Sequence, residues 1–183
     1  MRGSRRDHTS SKGNHKMQKQ DPGPLQPVHN LKPYKRAEGI NQIEHFFRAA
    51  AGLEIDKSDI KRYYNFVDQK VADLLLIARH TAKANKRVRV ELRDLPITKG
   101  LQESIHAFEA LDLDIGLERI LNRAVPEPMM DLPYSEETEA RLPAIAGGLS
   151  LAVARTFKII DPQIKHPATE EWERAFQIFD LLP

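Results

Sequence analysis

Residues 59–94 read DIKRYYNFVDQKVADLLLIARHTAKANKRVRVELRD, and this stretch decides the fold. In its first part, apolar side chains recur at steps of three and four, which places them on one face of a helix. These side chains are Ile60, Tyr63, Tyr64, Val67, Val71, Leu74, Leu75, Ala78 and Ala82. Roughly 25 helical residues span about 37 Å. Since so long a helix cannot bury its apolar stripe alone, the stretch predicts a helical partner.

A shorter apolar pattern precedes the long helix. It runs from Ile40 to Ala50 and stops before Gly52, a residue suited to the position just past a helix. Asp56 or Ser58 can cap the start of the long helix, because their side-chain oxygens accept hydrogen bonds from helix amides. The order is therefore a short helix followed by a long one.

An extended link and a third helix follow the long helix. Val88 and Val90 alternate with charged residues, a pattern too short for a sheet but sufficient for one small bridge. The helical period then resumes from Ile97 to Leu111. This half of the chain is predicted as a short, long and short helix.

The second half repeats that order without repeating the residues. A short helix is predicted near Leu117, and a second long helix over 140–160, with Pro143 confined to its first turn. Thr169 is placed to cap a last helix. We therefore predict an all-α protein with two tandem short–long–short units, at about 40–111 and 114–183.

The middle of the second long helix contains two adjacent glycines, Gly147 and Gly148. A glycine inside a helix costs about 1 kcal/mol relative to alanine. Close approach of another backbone would explain that cost. We therefore predict that the two long helices cross here, with Ala72 or Asp73 at the middle of the first.

Charge divides the chain into two regions. The first 36 residues carry nine lysines and arginines against two aspartates, a net charge of +7. The remainder carries nineteen basic and twenty-four acidic residues, a net charge of −5. The first region is rich in Pro, Gly, Ser and Gln without an apolar period, so we predict a disordered basic tail over 1–38.

Arg87 and Asp94 stand seven residues apart across the link into the third helix. This pair resembles the clamp of histones, in which a loop arginine pairs with an aspartate at the start of the last helix. The resemblance implies a histone fold in which Arg87 and Asp94 form a structural clamp. In the second half, the link 162–168 contains no arginine and Trp172 occupies the position of the aspartate, so no second clamp is expected.

Three segments make the resemblance specific to one family. They are Ala50 to Leu53, Asp94 to Ile97 and Lys99 to Glu103. They are similar to a small prokaryotic family of single-chain histone-fold doublets, otherwise classed as a domain of unknown function. The resemblance implies that residues 39–183 form a doublet whose two units pair as an intramolecular pseudodimer.

Histone pairs bind DNA mainly through loops at the two ends of the dimer, where basic side chains and helix N-termini meet phosphates. In a fused pair, residues 54–62 would join 162–168 at one end. At the opposite end, the cations of the link that follows the first long helix would face Asp131, Glu136 and Glu137. The candidate DNA contacts are Lys57, Lys61, Arg62, Lys83, Lys86, Arg89 and Lys165.

Two functional hypotheses follow. The first is a non-enzymatic, histone-like architectural protein that binds DNA weakly and without sequence preference, through its basic tail and residual loop charges. The second is a histone-fold module that binds another protein or another copy of itself, with little affinity for DNA. No HExxH spacing, phosphate loop or nucleophile motif is present. We therefore expect no enzyme activity, metal, cofactor or small-molecule substrate.

Location is a further expectation from the sequence. No stretch resembles a signal peptide, and we expect none to provide the roughly 20 apolar residues of a membrane span. The sequence therefore predicts a cytoplasmic protein, associated with the nucleoid if it binds DNA.

Overall fold

The computed structural model describes residues 39–112, 116–121 and 132–181, and this part of the chain is all-helical. The predicted all-α class is confirmed, whereas the predicted disordered tail over 1–38 lies outside the described residues. The helices are α1 (Ile40–Ala51), α2 (Lys57–Ala84), α3 (Lys99–Asp112), α4 (Glu118–Leu121), α5 (Glu136–Ile160) and α6 (Thr169–Asp180). A single 3₁₀ turn, Leu92–Asp94, lies between α2 and α3.

The boundary between α1 and α2 is set by two local signals that the sequence predicted. Gly52 ends α1 in the left-handed conformation, with φ of 62°. Asp56 caps α2, since its carboxylate accepts hydrogen bonds from the amides of Ser58 at 2.7 Å and Asp59 at 2.9 Å. The carboxylate of Asp59 in turn accepts the amide of Asp56 at 3.0 Å. This reciprocal capping box fixes the direction in which α2 leaves the loop.

The second long helix begins earlier than predicted. Ser135 caps α5 by accepting the amide of Thr138 at 3.2 Å, and the helix starts at Glu136. The prediction that Pro143 lies in the first turn is therefore wrong, because Pro143 is the eighth residue of the helix. The opening turn is charged and carries no apolar period, so periodicity could not reveal it.

The last helix also starts differently. Thr169 is its first residue and not its cap, since Ala168 occupies the capping position. The carboxylate of Glu171 accepts the amide of Ala168 at 2.9 Å and supplies half of a capping box. The hydroxyl of Thr169 instead accepts a hydrogen bond from Arg62 of α2 at 2.7 Å.

Helix α5 is the centre of the core and contacts α1, α2, α3, α4 and α6. It is buried along most of its length. Where it meets α2, the buried hydroxyls of Tyr63 and Ser150 lie 2.8 Å apart. The predicted partner of the first long helix is therefore the second, within the same chain.

The glycines of α5 make a different close contact from the one predicted. A Cβ atom on Gly147 would overlap the ring of Phe108. A Cβ atom on Gly148 would lie 3.0–3.1 Å from the backbone of Ile105. Both neighbours belong to α3, so the nearest atoms to these glycines come from α3, and the crossing of the long helices at Ala72 stays a prediction. An ion pair between Arg141 of α5 and Glu109 of α3 also joins the two helices.

The expectation about membrane segments also needs a correction. Among the described helices, α5 alone is long and apolar enough to cross a membrane, with a mean hydropathy of 1.3 over its best window. However, 72% of that window is buried inside the protein. The apolar composition of α5 is therefore explained by its burial among the other helices.

Candidate nucleic-acid interface

Two pairs of loops meet at separate places, as the resemblance to histones implied. We call the place where residues 52–62 meet 161–169 the first end, and the place where residues 85–95 meet 132–137 the second end. At the first end, the amide of Glu54 donates to the carbonyl of Lys165 at 2.7 Å. Each end therefore joins a loop of one half to a loop of the other.

The second end is tied by two main-chain hydrogen bonds. The amide of Val90 donates to the carbonyl of Pro133, and the amide of Ser135 donates to the carbonyl of Val90, both at 2.8 Å. Val90 and Tyr134 thereby form an isolated parallel bridge. The predicted small bridge is confirmed, and it holds the link after α2 against the start of α5.

Arg87 and Asp94 are paired at the second end. The side chain of Asp94 is fully buried and accepts hydrogen bonds from the Arg87 guanidinium and from the amide of Glu91, the latter at 2.9 Å. Arg87 also lies 3.8 Å from the carboxylate of Glu91, which pairs with Arg93 at 2.5 Å. Asp94 closes the 3₁₀ turn, and α3 starts only at Lys99, after Pro96. Arg87 is thus directed at the protein interior.

Lys86 has an unusual backbone conformation. Its φ is 56°, and it is the only non-glycine residue with positive φ among the described residues. Its amide donates to the carbonyl of Lys83, and the amide of Arg87 donates to the carbonyl of Ala82, both at 2.9 Å. This is the Schellman arrangement, in which glycine usually occupies the left-handed position.

The left-handed conformation costs a lysine about 1–2 kcal/mol. An exposed cation near a helix C-terminus recovers about 0.3–1 kcal/mol from the helix dipole. The side chain of Lys86 is exposed and makes no hydrogen bond or ion pair with the described residues. The two hydrogen bonds that this conformation makes at the end of α2, and the pairing of the next residue, Arg87, with Asp94, hold Lys86 in place.

The exposed cations of the second end share it with carboxylates. Arg89 lines an open groove together with Tyr134, Glu136 and Glu137. Lys86 does not line this groove. Burial raises the pKa of Tyr134 above its usual value. Asp131, which the sequence also placed here, lies outside the described residues. The groove is therefore of mixed charge.

The cations of the first end also lie among acids. Lys57, Lys61 and Lys165 are exposed, and Glu54 and Asp56 are exposed beside them. Hydrogen bonds lower the pKa of Asp56, and the larger effect comes from the Ser58 hydroxyl and the smaller from the Asp59 amide. This carboxyl group is therefore charged at neutral pH.

Arg62 has a structural contact at the first end. Its guanidinium lies 3.4 Å from the carboxylate of Asp59 and donates to the hydroxyl of Thr169 at 2.7 Å. It therefore links the starts of α2 and α6. Of the four cations predicted at this end, the three lysines remain without an ion pair to a described residue.

In the second half, the loop 161–168 is held by Lys158, a residue that sequence reasoning missed, and it packs beside a buried aromatic pair. Trp172 is fully buried against Phe157, with ring centroids 4.7 Å apart. Lys158, in the last turn of α5, donates to the carbonyl of Ile164 and lies 3.5 Å from that of Pro162. A lysine near a helix C-terminus is a weak signal, because such residues are common there and most are solvated.

Metal chemistry finds no support in the described residues. Across 39–112, 116–121 and 132–181, no three histidine, cysteine or acidic side chains are grouped to hold a metal ion. At both ends, the groups available for binding a ligand are a small set of exposed lysines and arginines on loops that hydrogen bonds hold in place.

The helices and their loop contacts define an all-α protein built from two helical halves joined at both ends. The chain belongs to the family described as "Domain of unknown function (DUF1931)", whose model matches residues 43–180. The basic segment 1–38 precedes the matched region.

Solved relatives have the same overall structure. A crystal structure from Thermus thermophilus is 42% identical with a TM-score of 0.70, and the match covers 78% of this chain and 97% of that one. A crystal structure from Aquifex aeolicus is 26% identical with a TM-score of 0.68, covering 85% and 98%. An "Uncharacterized protein" of Aquifex aeolicus (strain VF5) is 29% identical over 145 residues, covering 79% of this chain and 84% of its own length.

Proposed function

We propose that this chain is a histone-fold doublet and acts as an architectural protein that associates with DNA without sequence preference. The observation that carries the proposal is the head-to-tail pairing of the halves. The loop before each long helix is hydrogen bonded to the loop after the other long helix, through Glu54 with Lys165 and through Val90 with Pro133 and Ser135. Histone pairs place their DNA-binding loops together in this way.

The clamp and the helix order support the same fold. Arg87 pairs with the fully buried Asp94, as the resemblance to histones implies. The order of short, long and short helices occurs in both halves. The second half departs from the pattern because Lys158 holds its loop in place of an arginine–aspartate pair.

Charge sets the expected strength of DNA binding. Sequence-independent affinity comes largely from neutralised phosphates, and residues 37–183 carry a net charge of −5. Binding should therefore depend on the +7 segment at the N-terminus, with a smaller contribution from the exposed loop cations. Such binding is weak and decreases steeply with salt. In the cell, the protein would be associated with the nucleoid in the cytoplasm.

Gel-shift titrations test this function. Full-length protein and a variant lacking residues 1–38 are titrated against duplex DNA at rising salt, with circular dichroism as the check that the shorter chain is folded. We expect a shift by the full-length protein at low salt and a much weaker one without the tail. Absence of binding by the full-length protein at low salt would exclude the DNA function.

A protein-interaction module is the second candidate, and exposed apolar residues favour it. Leu76 and Ile77 of α2 are 42% and 41% exposed, and Ile178 and Leu181 at the end of α6 are 40% and 83% exposed. An ion pair of 2.6 Å between Lys70 and Asp180 places the end of α6 against the middle of α2. Light scattering after size exclusion tests self-association, with Ile77→Ser as the variant expected to weaken it.

A further inference from the structure

We infer that a second copy of this chain docks on the groove at the second end, forming a weak two-fold dimer in which Arg89 of each copy pairs with Glu136 and Glu137 of the other. The inference concerns self-association and goes beyond the proposed DNA function. Its basis is a single groove that is lined by side chains of both charges, which do not pair with each other.

The groove has two walls of different origin. Arg89 lies on the link that follows α2, whereas Glu136 and Glu137 lie in the first turn of α5. The bridge between Val90 and Tyr134 joins the two walls. Because main-chain hydrogen bonds of 2.8 Å hold this bridge, both walls are ordered before anything binds, and docking on them loses little conformational freedom.

Three charges of this groove are left unused within the fold. Arg89, Glu136 and Glu137 are exposed, and none of them makes an ion pair or a side-chain hydrogen bond with another described residue. The helix dipole accounts for the two glutamates at the start of α5, but it does not neutralise Arg89. By contrast, Glu91 in the same groove lies 2.5 Å from Arg93. The groove therefore presents one cation and two carboxylates to solvent.

These charges select a partner that carries both signs. Glu136 and Glu137 would repel a polyanion, and Arg89 would repel a polycation. A second copy supplies the matching surface, since a two-fold axis through the groove places the cation of each copy opposite the carboxylates of the other. The neighbouring Val88 is 82% exposed and would be withdrawn from water beside such an interface.

The dimer should be weak and sensitive to salt. Exposed ion pairs stabilise little and are screened by salt. A small polar interface of this kind is typical of a transient complex. We therefore expect a dissociation constant on the order of 0.1 mM at low salt, and loss of the dimer at about 0.5 M salt.

Sedimentation equilibrium of the full-length protein at low salt tests the inference with variants of reversed charge. Arg89→Glu makes the three unpaired charges of the groove negative, and the double variant Glu136→Lys, Glu137→Lys makes them positive. Each variant alone should dimerise at least tenfold more weakly than wild type, because like charges then meet at the interface. An equimolar mixture of the two should dimerise again, since a negative groove meets a positive one.

Lys99→Glu is the control, because it reverses one charge on a side chain of α3 that is 90% exposed and lies outside the groove. This variant should dimerise like wild type, and circular dichroism should show that all variants are folded. Recovery in the mixture is the decisive result, since a merely structural role of these residues would not produce it.

Four outcomes would overturn the inference. The first is wild-type protein that stays monomeric at about 1 mM, tenfold above the expected constant. The second is a mixture that stays monomeric, and the third is equal weakening by Lys99→Glu, which would show that total charge controls association. The fourth is a dimer lost in Ile77→Ser but kept in both reversed variants, which would place the contact on α2 and α6. None of these results affects the gel-shift test, so the two proposals can fail separately.

Discussion

The ring of Phe108 lies against Gly147 so closely that a methyl group on this glycine would overlap three ring atoms. One turn earlier on α3, the backbone of Ile105 approaches Gly148 in the same way, 3.0–3.1 Å from the position of a Cβ atom there. Two small residues on α5 thus allow α3 to approach it. This contact sets the position of α3, and with it the loop that begins at the clamp.

We predict that Gly148→Ala destabilises the protein by about 1–3 kcal/mol. Its methyl group would meet the amide nitrogen and Cα of Ile105 at 3.0 and 3.1 Å, and backbone cannot move away as a flexible side chain can. Urea unfolding followed by circular dichroism measures the change. Gly100→Ala is the matched control, since nothing lies within 4 Å of a Cβ there. A gain of about 0.5 kcal/mol is expected at Gly100, and the same gain at Gly148 would contradict the prediction.

The clamp gives a second prediction. Arg87→Ala leaves the carboxylate of Asp94 fully buried without its cation, and we expect a loss of about 1.5–3 kcal/mol. Arg93→Ala is the control, because Arg93 pairs with Glu91 at 2.5 Å but is 68% exposed, and a surface pair contributes less than about 1 kcal/mol. Chemical denaturation of both variants provides the comparison. Equal effects would show that the buried pair has no special role.

Local signals made much of the fold predictable from sequence. The capping residues Asp56 and Gly52 and the apolar period of α2 act over a few residues, so they appear in the sequence itself. The pairing of Arg87 with Asp94 was inferred through a resemblance, because spacing alone does not show that a carboxylate is buried.

What could not be predicted depends on contacts between distant segments. The glycines of α5 indicated a close neighbour, but only the three-dimensional packing shows that Ile105 and Phe108 provide it. Likewise, the start of α5 is determined by the Ser135 cap and not by apolar residues. The left-handed conformation of Lys86 had no sequence signal, since glycine is the residue that normally marks it.

Asp68 of α2 gives a pH-dependent prediction. Burial raises the pKa of its carboxyl group from 3.8 to about 6, and its Oδ1 atom is buried without a hydrogen-bond partner among the described residues. Because the folded pKa exceeds the unfolded one, the folded state binds the proton more tightly. The stability contributed by Asp68 is therefore lost as pH rises from about 4 to about 6, and does not change further above that range.

Asp68→Asn should raise the free energy of unfolding at pH 7 and reduce its decline between pH 4 and 6. The full shift corresponds to about 3 kcal/mol, but the side chain keeps part of its surface in solvent, so we expect about 1 kcal/mol. Denaturant unfolding at four pH values measures this. Asp73→Asn, at a residue whose side chain is 51% exposed on the same helix, should change little. A pH dependence unchanged by Asp68→Asn would refute the assignment.

Lys158→Met tests how the second half holds its loop without an arginine. The substitution keeps the apolar stem but removes the ammonium group that donates to the carbonyl of Ile164, so we expect a loss of about 1–2 kcal/mol. The loop 161–168 should open more often, and the amide of Glu54, bonded to Lys165, should exchange its hydrogen roughly tenfold faster. Nuclear magnetic resonance measures this exchange, with the exposed Lys61→Met as control.

Since Val90 is tied to Pro133 and Ser135 at the second end, its amide should keep its protection. Faster exchange at Val90 as well would mean that the variant loosens the whole fold and that Lys158 does not act on its own loop.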